Sequence, residues 1–285
     1  MSGEVYDRCL AASFIHPLLV ANLAGWYNEM QRGKEPPMNV QTLERPEIGD
    51  GETKSHGYTT NGAIPPLESG DQLTRAEFER RYELHPEIKK AELIEGVVYV
   101  ASPIRAGQHG DPHFDVIGWL AFYRAVTPGV RGSDNATLRL DLENEPQPDA
   151  LLRLDPTVGG KSFVGEADYL EGPPELIVEV AASSAAYDMN VKRRVYARNG
   201  VQEYIVFQMH ERRIAWFVLR EHGYEELTPG EDGILRSEIF PGLWLDPAAF
   251  WAADMRRVLA VAQAGVASPE HAAFVTALEQ KLNSR

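Results

Sequence analysis

The sequence predicts an α/β protein in which one β-sheet of mixed sense is flanked by helices, with helical N- and C-terminal extensions. Segments with the two-residue period of strands alternate along the chain with segments of helical period, in the order helix, hairpin, helix, hairpin, strand, helix, strands. One apolar run, PELIVEVA at 174–181, is nearly continuous, as expected of a strand covered on both faces. The 285 residues have ordinary globular composition, 44% hydrophobic and 25% charged.

Composition divides the chain into three regions. Residues 14–32 have the pattern of a short amphipathic helix, and residues 34–70 are rich in Pro, Gly, Ser and Thr without a sustained period, which is typical of a linker. We therefore predict an N-terminal extension and linker over 1–70, a core domain over 71–230 and a C-terminal helical extension over 231–285.

The first half of the core domain is predicted to hold two helices and a hairpin. Thr74 and Glu77 fit a capping box, in which hydroxyl and carboxylate satisfy each other's free backbone donors. The sequence AELIEGVVYVASP predicts strands at 91–94 and 97–101, joined by a Glu-Gly turn. Apolar residues at helical spacing predict a helix over 109–126.

The second half is richer in strands. Patterns at 138–142 and 147–154 flank a polar turn and predict a second hairpin. A helix over 185–199 follows the buried run, and Gly200 suits the left-handed position after its end. The remaining predicted elements are strands at 203–207, 213–219 and 223–227, and helices at 247–264 and 268–282.

Charge and cysteine content exclude several classes of protein. Lys and Arg number 28 against 42 Asp and Glu, and the net charge of −14 counts against binding to a polyanion. The single cysteine, Cys9, excludes an intramolecular disulfide and thiolate-rich metal sites. No apolar stretch approaches the roughly 20 residues of a membrane span. Acidic residues rather than a basic segment precede the weak N-terminal apolar run, so we expect a cytoplasmic protein.

Acidic side chains stand in two of the predicted strands. Asp149 follows Pro148, and Glu179, thirty residues later, interrupts the apolar run. A carboxylate in a buried strand is costly unless a partner compensates its charge. Two carboxylates at the ends of neighbouring strands are a natural cradle for Mg²⁺, which completes its shell with water and phosphate oxygens. Lys192, on the following helix, would orient the attacking water or stabilise the phosphate.

A series of short motifs surrounds these residues. It comprises Pro148-Asp149, Glu179-Val180, Ser183, Asp188, Lys192, Tyr196, Gly200-Val201 and Glu203-Tyr204, preceded by an ELIEG hairpin with Glu92 and Gly96. In this order and spacing they resemble the Uma2 family of endonucleases, within the PD-(D/E)XK nuclease superfamily. The resemblance covers roughly residues 75–227.

The resemblance implies a restriction-endonuclease-like fold, Mg²⁺ or Mn²⁺ as cofactor and DNA as substrate. It implies that Asp149 and Glu179 are catalytic metal ligands, together with the backbone carbonyl of Val180. The lysine of the superfamily's E-x-K motif is absent, because Ala181 stands two positions after Glu179. We expect Lys192 to replace it as the third catalytic residue, which requires that Lys192 face the end of the sheet.

Other side chains are candidates for accessory roles. Glu92 would add an acidic group, and His109 and His113 lie near a position that the family often fills with histidine. Asp188 is a candidate ligand, although an i,i+4 partner of Lys192 is the simpler interpretation. A basic cluster fits either phosphate contacts or a salt-bridged surface, and it comprises Arg193, Arg194 and Arg198 with Lys192, Arg212 and Arg213.

Structural interpretations stay open for the same residues. Asp149 fits a turn at a strand end, Glu179 a buried pair with an arginine, and Lys192 a solvated helix face. The two histidines fit helix-start or surface positions. Tyr196 and Tyr204 fit packing positions.

Three functions are compatible with this pattern. The first is a Mg²⁺-dependent DNA endonuclease that hydrolyses phosphodiester bonds. The second is a catalytically silent binding or assembly protein of the same fold, which the charge of −14 favours. The third is a metal-dependent phosphodiesterase acting on a smaller substrate, for which an acidic surface is less of a handicap. The sequence indicates no membrane partner and leaves the oligomeric state open, a homodimer included.

Overall fold

The computed structural model describes residues 64–102, 105–182 and 184–284. The helix predicted over 14–32, most of the linker and Ser183 lie outside the described residues. The helices are α1 (Arg75–Leu84), α2 (Asp111–Ala125, after a π-helical turn Ala106–Gly110), α3 (185–199), α4 (Pro247–Trp251), α5 (Met255–Val266) and α6 (Pro269–Asn283). Helix α3 consists of Ala185–Tyr187, a π-helical turn Asp188–Lys192 and Arg193–Asn199.

Thirteen strands are present in the described residues. They are β1 (Ala91–Ile94), β2 (Val97–Val100), β3 (Val130–Asp134), β4 (Leu138–Arg139), β5 (Ala150–Leu154), β6 (Phe163–Val164), β7 (Leu170–Glu171), β8 (Leu176–Ala181), β9 (Glu203–Gln208), β10 (Arg213–Arg220), β11 (Gly223–Glu226), β12 (Leu235–Arg236) and β13 (Trp244–Leu245).

Six of these strands form the central sheet, in the order β11-β10-β9-β8-β5-β3. Strands β8 and β9 are parallel, because helix α3 carries the chain back to the same edge between them, and the other pairs are antiparallel. The predicted mixed α/β sheet flanked by helices is thereby confirmed.

Side-chain alternation along β8 separates two apolar cores. Val178 and Val180 face a core that includes residues of α2 and of the C-terminal helices. Ile177 and Ala181 face a second core, which includes Val195 and Tyr196 of α3. Glu179 stands between Ile177 and Ala181, and so points to the α3 side.

Residues 231–284 contribute to the first core rather than standing apart from it. Phe240, Leu243 and Val258 are fully buried in the same cluster as Trp119 and Trp216. The indole N–H of Trp119 donates to the carbonyl of Trp244 at 2.9 Å. In the described part of the chain, no helix has the length and apolar character needed to cross a bilayer.

Several local predictions are confirmed. Strands β1 and β2 pair antiparallel, and Glu95 and Gly96 turn between them with φ of 52° and 74°, as a tight hairpin requires. Gly200 ends α3 with φ of 82°. Thr74 caps α1, accepting from the backbone N–H of Glu77 at 3.4 Å. The reciprocal half of the capping box is wrong, because the Glu77 carboxylate accepts from Arg80 and Arg81 instead.

The predicted hairpin between 138–142 and 147–154 is wrong. Strand β4 pairs in parallel with β7 in a small sheet, whereas β5 pairs with β3 and β8. The backbone donors that a ladder needs are taken elsewhere: the N–H of Gln147 donates to Glu92 and that of Asp149 to Glu179. Strand β3, VRGSD, was not predicted.

The single helix predicted over 247–264 is also wrong. The chain breaks it into α4 and α5, since Ala253 adopts a left-handed φ of 55°. Asp254 then caps α5 by accepting from the backbone N–H of Arg257 at 3.0 Å.

Candidate active site

Asp149 and Glu179 meet on one face of the central sheet. Asp149 immediately precedes β5, Glu179 lies within the neighbouring β8, and both are buried. The N–H of Val180 donates to Asp149 Oδ2 at 2.9 Å, and the N–H of Asp149 lies 3.4 Å from Glu179 Oε2. Each carboxylate therefore accepts a backbone donor from the other's strand segment, which fixes the two acids side by side.

Lys192 reaches this pair from helix α3. Its Nζ lies 2.9 Å from Glu179 Oε1, 2.9 Å from Glu92 Oε1 and 3.6 Å from Asp188 Oδ1. The side chain of Lys192 is 4% exposed. The ammonium is thus buried among three carboxylates and directed at the sheet, not at solvent.

Two tyrosines for which the sequence analysis gave a packing role also donate hydrogen bonds to residues of the site. The hydroxyl of Tyr196 donates to Glu179 Oε1 at 3.0 Å, and that of Tyr204 donates to the backbone carbonyl of Asp188 at 3.2 Å. Both rings are fully buried and pack edge to face, with centroids 4.9 Å apart. They hold Glu179 and the π-helical turn of α3 in place.

Lys90, which the sequence analysis missed, lies on the other side of the pair. Its Nζ donates to Asp149 Oδ1 at 3.0 Å and to Asn135 Oδ1 at 2.9 Å. One feature of the sequence points to Lys90: it stands two residues before Glu92, and alternating residues of an extended segment share a face. The role of Lys90 nevertheless depends on where the β1–β2 hairpin lies against β5, which local sequence does not encode.

Both histidines at the start of α2 face the site. His109 donates from Nδ1 to the carbonyl of Val180 at 2.8 Å, and its Nε2 lies 3.6 Å from Asp149 Oδ1. His113 Nε2 lies 2.8 Å from the carbonyl of Asp149 and 3.1 Å from Asp134 Oδ1. The Val180 carbonyl keeps a second lone pair, because an oxygen of this type accepts two bonds.

The basic cluster of the sequence does not form one surface. Arg194 and Arg198 are exposed and lie 3.8 and 3.2 Å from the Glu95 carboxylate. The guanidinium of Arg193 lies 5.2 Å from the ring centre of Phe217. Arg213 pairs with Glu226 beyond the helix. Much of the positive charge near the site is therefore already matched by acidic neighbours.

The charges in the centre do not balance. Four acids, Glu92, Asp149, Glu179 and Asp188, surround the two ammonium groups of Lys90 and Lys192, which leaves two negative charges when all four acids are ionised. Burial raises the pKa of Glu179 to about 8; Lys192 opposes that rise and the charge of Asp149 adds to it.

The two ligand candidates differ in their protonation. Burial acts to raise the pKa of Asp149, but Lys90 and His109 more than offset it and hold that pKa below its usual value. Burial likewise opposes the charge of Lys192, and the carboxylates of Glu179, Glu92 and Asp188 raise its pKa well above the usual range. Asp149 is therefore the acid best prepared to meet a cation as a carboxylate.

The donor set fits a hard divalent cation. Asp149, Glu179 and the Val180 carbonyl supply oxygens, which Mg²⁺ and Mn²⁺ prefer. The imidazole of His109, with its other nitrogen bonded to a carbonyl, has the arrangement of many metal-binding histidines. Within the described residues, no group of three or more Asp, Glu, Cys or His side chains is arranged so that it could hold a metal ion by itself. The residues thus suit a cation that keeps much of its shell as water and phosphate oxygens.

Fold and site define a mixed α/β protein whose central sheet carries an acidic centre that two lysines neutralise in part. A family model described as "Uma2: Putative restriction endonuclease" matches residues 75–248, so the chain belongs to the Uma2 family. The resemblance predicted from the motifs is confirmed.

Other comparisons are more distant. A crystal structure of a "putative nuclease belonging to DUF820" from Anabaena variabilis is similar over 63% of this chain and 98% of that chain, at 14% identity and a TM-score of 0.48. A search among curated proteins found no match.

Proposed function

We propose that the protein is a Mg²⁺-dependent DNA endonuclease in which Asp149 and Glu179 hold the cation and Lys192 assists. The observation that carries this proposal is the joining of Asp149, Glu179 and Lys192 through contacts of 2.9–3.4 Å on one face of the sheet. Membership of the family described as "Putative restriction endonuclease" supports DNA as the substrate.

The charge deficit supports a divalent cation in particular. With all its acids ionised, the centre has two more carboxylates than ammonium groups, which is the charge that one Mg²⁺ or Mn²⁺ neutralises. When bound, such an ion lowers the pKa of a coordinated water and neutralises charge on the phosphodiester. Deprotonation of Glu179, whose pKa is about 8, would accompany binding.

The chain's own residues would position and polarise the reactants. Asp149 and Glu179 are held rigidly by the backbone N–H of Val180 and the hydroxyl of Tyr196, so little reorganisation is needed. Lys192 keeps Glu179 and Glu92 oriented and would add a fixed positive charge next to the acids that hold the cation. His113 ties the start of α2 to the Asp149 backbone and so fixes one wall of the site.

Cleavage of supercoiled plasmid tests the proposal. The wild-type protein should nick or linearise DNA with Mg²⁺ or Mn²⁺ and lose that activity in EDTA. Asp149→Asn should lose metal binding and cleavage together, since it removes a charged ligand. Asp232→Asn is the matched control, because Asp232 is an exposed partner of Arg236 outside this centre. Equal cleavage by Asp149→Asn and wild type would contradict the assignment.

A second candidate is a metal-dependent phosphodiesterase that acts on a smaller substrate. The pairing of Arg194 and Arg198 with Glu95 and the net charge of −14 favour it, because both weaken attraction to a long polyanion. DNA binding that weakens steeply with added salt supports the endonuclease. Hydrolysis of a small phosphodiester without measurable DNA binding supports the second candidate, and metal binding without any hydrolysis indicates a silent member of the fold.

A further inference from the structure

Lys90 and Lys192 neutralise the same centre in different ways. Lys192 is surrounded by three carboxylates and its side chain is 4% exposed. Lys90 contacts one carboxylate, that of Asp149, and one amide, that of Asn135, and its side chain is 23% exposed. Lys192 is therefore locked inside the protein, whereas Lys90 can move its ammonium towards water.

The two oxygens of Asp149 also differ. Oδ2 accepts from the backbone N–H of Val180 at 2.9 Å, inside the sheet. Oδ1 accepts a hydrogen bond from the Lys90 ammonium at 3.0 Å and lies 3.6 Å from His109 Nε2. A cation that binds Asp149 through Oδ1 competes with the Lys90 ammonium for that oxygen. Because an ammonium and a divalent ion repel each other strongly at such distances, they exclude one another.

We propose that Lys90 is a displaceable counter-ion of the metal site, which neutralises Asp149 in the cation-free protein and is expelled when a divalent cation binds. The inference rests on the metal site of the proposed function and adds a regulatory residue to it. It implies that the cation binds more weakly than the carboxylates alone would allow, since binding must break the contact between Lys90 and Asp149.

Calorimetric titration with Mn²⁺ alone, at pH 8 and low ionic strength, tests the inference without any measurement of catalysis. Lys90→Met removes the ammonium and keeps much of the side-chain volume. Lys90→Gln retains an amide that can still donate to Asp149, and it decides the question if Lys90→Met does not fold. Lys89→Met is the matched control, because Lys89 is adjacent and exposed and donates only to the carbonyl of Pro86.

We expect the dissociation constant for Mn²⁺ to fall by about tenfold or more in both Lys90 variants, because one repelling charge beside the ion is removed. The Lys89→Met control should stay within about twofold of wild type, since its charge is screened by solvent. In the absence of Mn²⁺, Lys90→Met should unfold at lower temperature than wild type and recover more of its stability when Mn²⁺ is added.

Unchanged or weaker Mn²⁺ binding by Lys90→Gln overturns the inference, and so does equal tightening in Lys89→Met. These outcomes are separate from failure of the proposed function. Tightened binding in a protein that cleaves no DNA supports the inference and counts against the endonuclease. Cleavage by wild type without tightening in the Lys90 variants does the reverse.

Discussion

The Lys192 ammonium lies 2.9 Å from Glu179 Oε1, although the two residues are thirteen positions apart in the chain. Glu179 belongs to strand β8, and Lys192 to the π-helical turn of α3 that follows it. Ala181 occupies the strand position where the superfamily motif has lysine. Helix α3 therefore brings to the carboxylate a positive charge that the strand does not supply.

Energetic coupling between these two residues is the first prediction. Lys192→Ala should destabilise the protein by about 3–5 kcal/mol, because it leaves buried carboxylates without their partner. Glu179→Gln removes one of those charges, so the double variant should be more stable than the sum of the two single effects. A double-mutant cycle of urea unfolding measures the difference, and additivity within about 0.5 kcal/mol would contradict the pairing.

The buried Glu145 predicts how stability depends on pH. Burial raises its pKa from 4.5 to about 8, and the neighbouring Glu79 acts in the same direction. Between these values the folded protein keeps a proton that the unfolded chain releases, so this group's contribution to stability falls as pH rises and is gone above pH 8. Each pH unit in that window changes the stability by at most about 1.4 kcal/mol.

Glu145→Gln should remove that contribution, because the amide does not titrate. Compared with wild type, the variant should gain stability steadily as the pH is raised from 5 to 8.5, and urea unfolding across that range measures it. Glu231→Gln is the control, because Glu231 is exposed. Glu175→Gln is unsuitable as a control, since burial raises the pKa of the Glu175 carboxyl as well. Parallel pH profiles for wild type and Glu145→Gln would show that the raised pKa is wrong.

The C-terminal region supplies the third prediction. Phe240, Leu243 and Val258 are fully buried in one core with Trp119 and Trp216. Removing residues 231–285 would expose that face of the sheet, so a chain ending at residue 230 should not fold cooperatively. Circular dichroism during heating and dye binding to exposed apolar surface measure this. A sharp thermal transition in the truncated chain would contradict this and would show that residues 71–230 form a core domain without the C-terminal extension.

Local sequence signals predicted the elements that depend on local chemistry. The alternation of β1 and β2, the continuous apolar run of β8 and the glycine that ends α3 each have a pattern with one physical meaning. Strand β3 has no such pattern: VRGSD is mostly polar and is a strand only because β5 offers it a partner. Local sequence patterns do not show which distant segments pair, and β3 depends on such pairing.

The same distinction applies to the site. Motif order singled out Asp149, Glu179 and Lys192, and the structure brings them together. The motifs do not include Lys90, whose contact with Asp149 spans 59 positions and depends on the placement of the β1–β2 hairpin. The motifs do not assign a hydrogen bond to Tyr196 either, since a buried tyrosine has the same sequence pattern whether or not its hydroxyl finds an acceptor.

The last prediction moves the lysine from the helix to the strand. Ala181 is fully buried and lies on the α3 side of β8, as Glu179 does, because residues two apart on a strand share a face. In Ala181→Lys with Lys192→Ala, the new side chain would enter the space that Lys192 vacates and reach Glu179 from the strand. The volume change in the core is then smaller than in either single variant, and a buried carboxylate regains its partner.

Lys192→Ala alone should lower Mn²⁺-dependent cleavage by about a hundredfold to a thousandfold, as expected for loss of one contact that stabilises developing charge, while Mn²⁺ affinity should not fall. The double variant should recover at least about tenfold of that rate, which corresponds to about 1.4 kcal/mol of transition-state stabilisation.

Ala181→Lys alone is the control: it places two lysines in one buried space, so it should be less stable than the double variant. Cleavage and thermal unfolding of the four proteins measure both effects together. Recovery of stability without recovery of cleavage would contradict this prediction and tie the catalytic role of Lys192 to its position on α3. Wild-type rates in Lys192→Ala would remove it from the catalytic residues.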